Sequence, residues 1–145
     1  MKNLWPEKFE ENTMRPAKLI LEEQAELLAK ITGGIVTAEV TAVAWSEGHN
    51  RLLKALDMTF RFDIIGKFLD YRFSVLWFGH DIPLYPVRIY LDEDISTELG
   101  LESAGPLGSC RSEVEGPDEL EAFVERVFKS ARLGKVIGSI LRLSH

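Results

Sequence analysis

Between Ile35 and Leu91 apolar residues return at every second position in four separate runs. A period of two belongs to a β-strand with one buried face, because successive side chains point to opposite sides of the pleat. Four such runs demand a sheet, and a sheet with an apolar face demands a layer to cover it. The first run, Ile35–Trp45, sets Val36, Ala38, Val40, Ala42 and Ala44 on one side. Ile35, Thr37, Glu39, Thr41, Val43 and Trp45 fall on the other. The small alanines predict a helix lying close to their face. The second run, Leu56–Ile65, turns Leu56, Met58, Phe60, Phe62 and Ile64 inward, with Asp57, Thr59, Arg61 and Asp63 outward.

The third run, Tyr71–Phe78, points Tyr71, Phe73, Val75 and Trp77 inward, which leaves Phe78 on the outer side with Trp45. The fourth, Leu84–Asp92, turns Tyr85, Val87, Ile89 and Leu91 inward and Arg88 outward. Pro86 cannot donate to a ladder and favours an edge for this strand. Short connections make neighbours antiparallel, so the simplest order is a meander, one to four. Thr37, Glu39, Thr41, Arg61, Asp63, Arg72, Ser74 and Arg88 then form a solvated outer face.

Helices flank these runs. Residues 16–32 carry an apolar stripe of Ala17, Ile20, Leu21, Leu27, Leu28 and Ile31 opposite Glu22, Glu23, Glu26 and Lys30. Asn12 or Thr13 is a candidate cap, and Gly33-Gly34 ends the helix. Asp92–Leu99 reads as a short helix or a turn before Gly100. Residues 102–116 read as a loop with room for a short edge strand at Arg111–Glu115. Pro117–Ser130 has acids at its start and a stripe of Leu120, Phe123, Val124, Val127 and Phe128. A last helix opens near Ser130 with Leu133, Val136, Ile137, Ile140 and Leu141 on its core side. The expected architecture is one α+β domain over residues 1–145: a two-layer sandwich with a four-stranded antiparallel meander and helices on one face.

A hydrophobic content of 46% with 28% charged residues fits a folded globular chain. No apolar run approaches the ~18 residues of a membrane span. Residues 1–7 lack the apolar core of a secretory signal, and the single cysteine, Cys110, has no internal partner, so a cytoplasmic location is expected.

Charge is unevenly spread. From Asp92 to Glu125 eleven acids face Arg111 alone, a net −10 within a chain of net −6, so the rest sums to +4. After Glu125 there are Arg126, Lys129, Arg132, Lys135 and Arg142 and no acid. The acidic stretch repels nucleic acid and suits a basic protein, with Glu113, Glu115 and Glu119 as candidate contacts. Its plain alternative is a solvated surface.

Standard chemical motifs are absent. There is no phosphate-binding glycine loop, no pair of histidines at helical spacing and no Cys-x-x-Cys, so no metal or cofactor is expected. A meander places the loop holding Glu47, His49 and Asn50 at the same end as the loop holding His80 and Asp81. Those imidazoles and carboxylates could serve as a general acid–base pair or an open metal site. Cys110 beside Arg111 is a candidate thiolate, with an idle thiol as the alternative. Arg61, Arg72 and Arg88 could bind an anion, unless Glu39 and Asp63 neutralise them. Trp5, Phe9, Trp45 and Phe78 are aromatic surface for an interface, with self or another protein, unless the chain covers them.

Residues 16–28, PAKLILEEQAELL, followed by Gly33-Gly34 and a strand, and then Leu84-Tyr85-Pro86-Val87, resemble a family of small uncharacterised bacterial proteins. That resemblance implies a bacterial cytosolic source and carries no catalytic residues. Two functions are expected from the whole: a non-catalytic protein-binding module, such as an immunity or antitoxin-like inhibitor of a basic partner, or a small hydrolytic enzyme using His49, His80 and nearby carboxylates.

Overall fold

Alternating strands and striped helices assemble as two layers in a computed structural model, which describes residues 1–43, 56–101 and 111–144. The element order is α1 (Ala17–Ile31), β1 (Val36–Ala42), β2 (Met58–Gly66), β3 (Tyr71–His80), β4 (Val87–Leu91), α2 (Glu93–Glu98), β5 (Arg111–Val114), α3 (Pro117–Phe128) and α4 (Ala131–Leu143). The sheet has five antiparallel strands in the order β1-β2-β3-β4-β5. The fifth is the short strand that the sequence left as an option. It takes the edge, so β4 is internal, against the expectation raised by Pro86. That proline lies just before β4, where its missing N–H removes nothing from the ladder.

α1 begins after Pro16 with no side-chain cap. Asn12, the candidate cap, instead accepts from Met14 N at 2.9 Å and donates through Nδ2 to Pro83 O at 3.2 Å. The helix ends as predicted. Gly33 and Gly34 have φ of 62° and 83°, and Gly34 N reaches back to Ala29 O at 2.8 Å. Only a residue tolerant of positive φ closes a helix in this way.

The chain turns directly into β1, whose Ala38, Val40 and Ala42 lie opposite Ile64, Phe62 and Phe60. The alanines therefore share the apolar face of the sheet, and α1 packs against β1. At the far end of β2, a Cβ on Gly66 would sit 3.0 Å from Ile140 Cγ2, so glycine there lets α4 press onto the sheet. Phe128 of α3 stacks on Phe62 with centroids 5.5 Å apart. These contacts close one apolar core, in which each fully buried Phe, Leu or Ile contributes about 1.5–3 kcal/mol.

Within β3 the alternation breaks. Phe62 pairs with Leu76 and Asp63 with Ser74, so Val75 is an extra residue, a β-bulge. Before the bulge Phe73 faces the core; after it Leu76, Phe78 and His80 do. Phe78 is thus an inner residue, 1% exposed and stacked on Phe60 at 5.1 Å, which corrects its expected place on the outer face. Trp77 is correspondingly outward, opposite Arg61 and Tyr90, not inward. Met58 also departs from expectation. It shares the inner face but lies at the end of β2 and is 41% exposed.

Candidate functional site

At the C-terminal end of β3, His80 and Asp81 occupy the place where acid–base chemistry was expected. His80 is 4% exposed, and its ring lies 6.1 Å from that of Phe60. Its Nδ1 donates to Asp81 O at 2.7 Å. The Asp81 carboxylate is engaged elsewhere: Oδ1 accepts from Asp57 N at 3.1 Å, while Asp57 Oδ2 accepts from Ile82 N at 3.1 Å. The two aspartates brace the start of β2 against the end of β3. His80 is a packed core histidine, and Asp81 ties two backbone segments together. Glu47, His49 and Asn50, their expected companions, lie outside the described residues, as do Trp45 and Cys110. Among the described residues no cluster of three or more His, Cys, Asp or Glu is arranged to hold a metal ion.

The outer sheet face holds the densest ionic cluster. Asp63, fully buried beside the bulge, accepts at Oδ2 from Arg61 Nε at 2.8 Å and from Arg72 Nη1 at 2.7 Å. Arg72 continues to Glu39 at 3.2 Å. The hydrogen bond to Asp63 is the largest of the influences that raise the Arg72 pKa above its ordinary value. Asp63 Oδ1 is buried and has no hydrogen-bond partner. Arg88 lies across from Glu113 on β5. The expected arginine stripe is therefore interleaved with carboxylates. The burial of Asp63 was not legible in a pattern that read it as one more solvated outward residue.

The acids of the stretch from Asp92 to Glu125 divide into two groups. Some hold the fold: Asp92 caps α2 through Ile95 N at 3.2 Å. Glu98 accepts from Ala131 N at 2.6 Å and Arg132 N at 2.9 Å at the start of α4. Glu119 accepts from Glu115 N at 2.8 Å, a cap on the residue that precedes Gly116, the N-cap of α3. Of the three expected contact residues, Glu113 and Glu115 are exposed, and Glu119 is exposed but serves this cap. The others line a surface. Glu121 and Glu125 of α3, with Glu23 of α1, border a groove of about 410 Å³ between the two helices. Arg15 pairs with both Glu23 and Glu121, and Lys129 with Glu125 at 2.6 Å. The Lys129 hydrogen bond holds Glu125 below the ordinary glutamate pKa.

A second cleft, of about 470 Å³, lies between α4 and the β2–β3 hairpin. Leu69, Val136, Ile140 and Leu143 line it, with Tyr71, Arg132, Lys135 and Ser139. Sequence periodicity had no means to find it, because its walls come from elements about sixty residues apart in the chain. No helix among the described residues is long and apolar enough to cross a membrane. No family model, curated protein or solved structure matches this chain.

Proposed function

We propose that this chain is a non-catalytic protein-binding module of the immunity or antitoxin type, a cytoplasmic bacterial inhibitor that recognises a basic partner. The observation that carries the reading is the acidic layer on α1 and α3. Glu22, Glu23 and Glu26 of α1 and Asp118, Glu121 and Glu125 of α3 are all exposed, and exposed Glu115 lies just before α3. Arg15 bridges the two helices, so these carboxylates sit on a rigid surface. Charges held in place on packed helices need little ordering on binding and steer a basic protein towards the face. The resemblance to small bacterial proteins supplies the setting. The enzymatic alternative draws no support from His80 and Asp81, since one is packed in the core and the other bonds backbone.

The test is charge reversal on residues that hold no cap: Glu22→Lys, Glu26→Lys, Glu115→Lys and Asp118→Lys together. A partner recovered by affinity capture with the unaltered chain is expected to associate at least tenfold more slowly with this variant, and with a weaker dependence on salt. Screening acts over a Debye length of about 8 Å at physiological ionic strength, so the difference should shrink as salt rises. Equal association rates for the two chains at low and high salt would refute the reading.

A further inference from the structure

β1 is one of the two edges of the sheet. The phase of its ladder fixes which of its backbone groups are used. Ile35 O accepts from Lys67 N at 3.4 Å, and Val43 N donates to Thr59 O at 3.1 Å. Odd-numbered residues therefore bond to β2, and even-numbered ones turn N–H and C=O to the free side. The Thr32 hydroxyl closes the first of these: Val36 N donates to Oγ1 at 3.1 Å, and Oγ1 donates to Val36 O at 2.8 Å. Among the described residues the N–H and C=O groups of Ala38, Val40 and Ala42 have no partner. Val36–Ala42 also lacks the proline, lysine or bulge that guards a free edge. Its one charge, Glu39, is drawn across the outer face to Arg72 Nη2 at 3.2 Å. α1 covers the inner face of β1 and leans towards β2, with Lys18 Nζ 5.9 Å above Phe60 and Leu28 lining a pocket with Phe62 and Ile64.

We propose that two copies of this chain pair antiparallel along β1 about a two-fold axis at Val40, which joins two five-stranded sheets into one. The open groups select a second copy because they match themselves. With Thr32 closing Val36, the unpaired stretch runs from Ala38 to Ala42 and is centred on Val40. A two-fold axis there sets Val40 opposite Val40 and Ala38 opposite Ala42, so every open N–H meets an open C=O and none is left over. The side chains agree with that register. Glu39 falls opposite Thr41 of the other copy, with Cβ atoms about 4.5–5.5 Å apart. Thr41 Oγ1 is buried and has no hydrogen-bond partner, so its hydroxyl gains a carboxylate to donate to. No like charges face each other, and the contact closes on itself as a dimer. The chain's own residues 1–15 make a poorer strand: Glu7, Lys8, Glu10, Glu11 and Asn12 are of types depleted from sheets, and Pro6 has no N–H to donate. The proposal uses the β1 edge and is independent of the acidic layer on α1 and α3.

Light scattering should give a dimer mass for the full chain and a monomer mass for Val40→Pro. That substitution removes an N–H on the free side and leaves the β1–β2 ladder whole, so its circular dichroism should match the parent. A second variant keeps the backbone unchanged. Thr41→Glu sets carboxylates face to face across the axis and should weaken the dimer at least tenfold, and adding Glu39→Lys should restore it. In a mixture of isotope-labelled and unlabelled chains, NMR should show an interchain contact between the Hα of Glu39 and the Hα of Thr41. A monomer at every concentration would overturn the proposal. So would a dimer that Val40→Pro leaves intact, or contacts to Glu39 and Thr41 from residues 1–15 of the same chain.

Discussion

Replacing Phe78 by alanine separates the register of the sheet from the one that strict alternation predicts. The side chain is 1% exposed and packs its ring on Phe60 with centroids 5.1 Å apart. Truncating a buried phenylalanine costs about 3–5 kcal/mol, of which an aromatic pair accounts for about 0.5–1.5. For a chain of this size, with a urea m-value of about 2 kcal/mol/M, the unfolding midpoint should fall by about 1.5–2.5 M. The thermal midpoint should fall by about 6–20 °C. Urea titrations followed by circular dichroism, run on Phe78→Ala, Phe60→Ala and the double variant, should give a coupling of about 0.5–1.5 kcal/mol between the two rings. Met58→Ala, at a 41% exposed position on the same face, should cost less than Phe78→Ala. A Phe78→Ala cost below about 1 kcal/mol, with no coupling to Phe60, would refute the bulge at Val75 and return Phe78 to the outer face.

Asp63→Ala removes the carboxylate shared by Arg61 and Arg72 and should cost about 1–3 kcal/mol, less than a fully buried pair because both arginines reach solvent; urea unfolding measures it. Arg72→Ala alone should cost less, since Arg61 still faces Asp63. Glu98→Ala strips acceptors from two backbone N–H groups at the start of α4 and should cost about 1 kcal/mol in the same assay, which equal midpoints would disprove. The Glu125 carboxyl should titrate below its ordinary 4.5 in carbon-detected NMR and return towards it in Lys129→Ala. Because its folded pKa is depressed, any stability it contributes is present above the unfolded pKa and lost as pH falls through the folded one. An unchanged titration in Lys129→Ala would show that the pair does not form in solution.

How far the sequence reaches can be followed residue by residue. The strands around Ile35, Phe60, Phe73 and Ile89, the meander order and the three longer helices followed from period and from short connections. Both signals are local, and hydrophobic burial enforces them wherever one face is covered. Gly33-Gly34 was legible because positive φ is a property of the single residue. Phe78 and Trp77 were not, since an extra residue at Val75 leaves composition and spacing untouched and reverses every side chain after it. Whether that residue bulges is decided by pairing between β2 and β3. The candidate site divides the same way. The acidity of the segment from Asp92 to Glu125 could be counted, but which acids cap helices and which stay on the surface depended on where α3 and α4 begin. His80 looked available for chemistry until the core closed over it. Asp63 looked solvated until two arginines met over one oxygen. The sequence alone determined the elements and their order, because each depends on neighbours along the chain. The tertiary structure decided the inner and outer faces after the bulge, the clefts beside α3 and α4, and the place of each charge, because these depend on residues far apart in the chain being brought together.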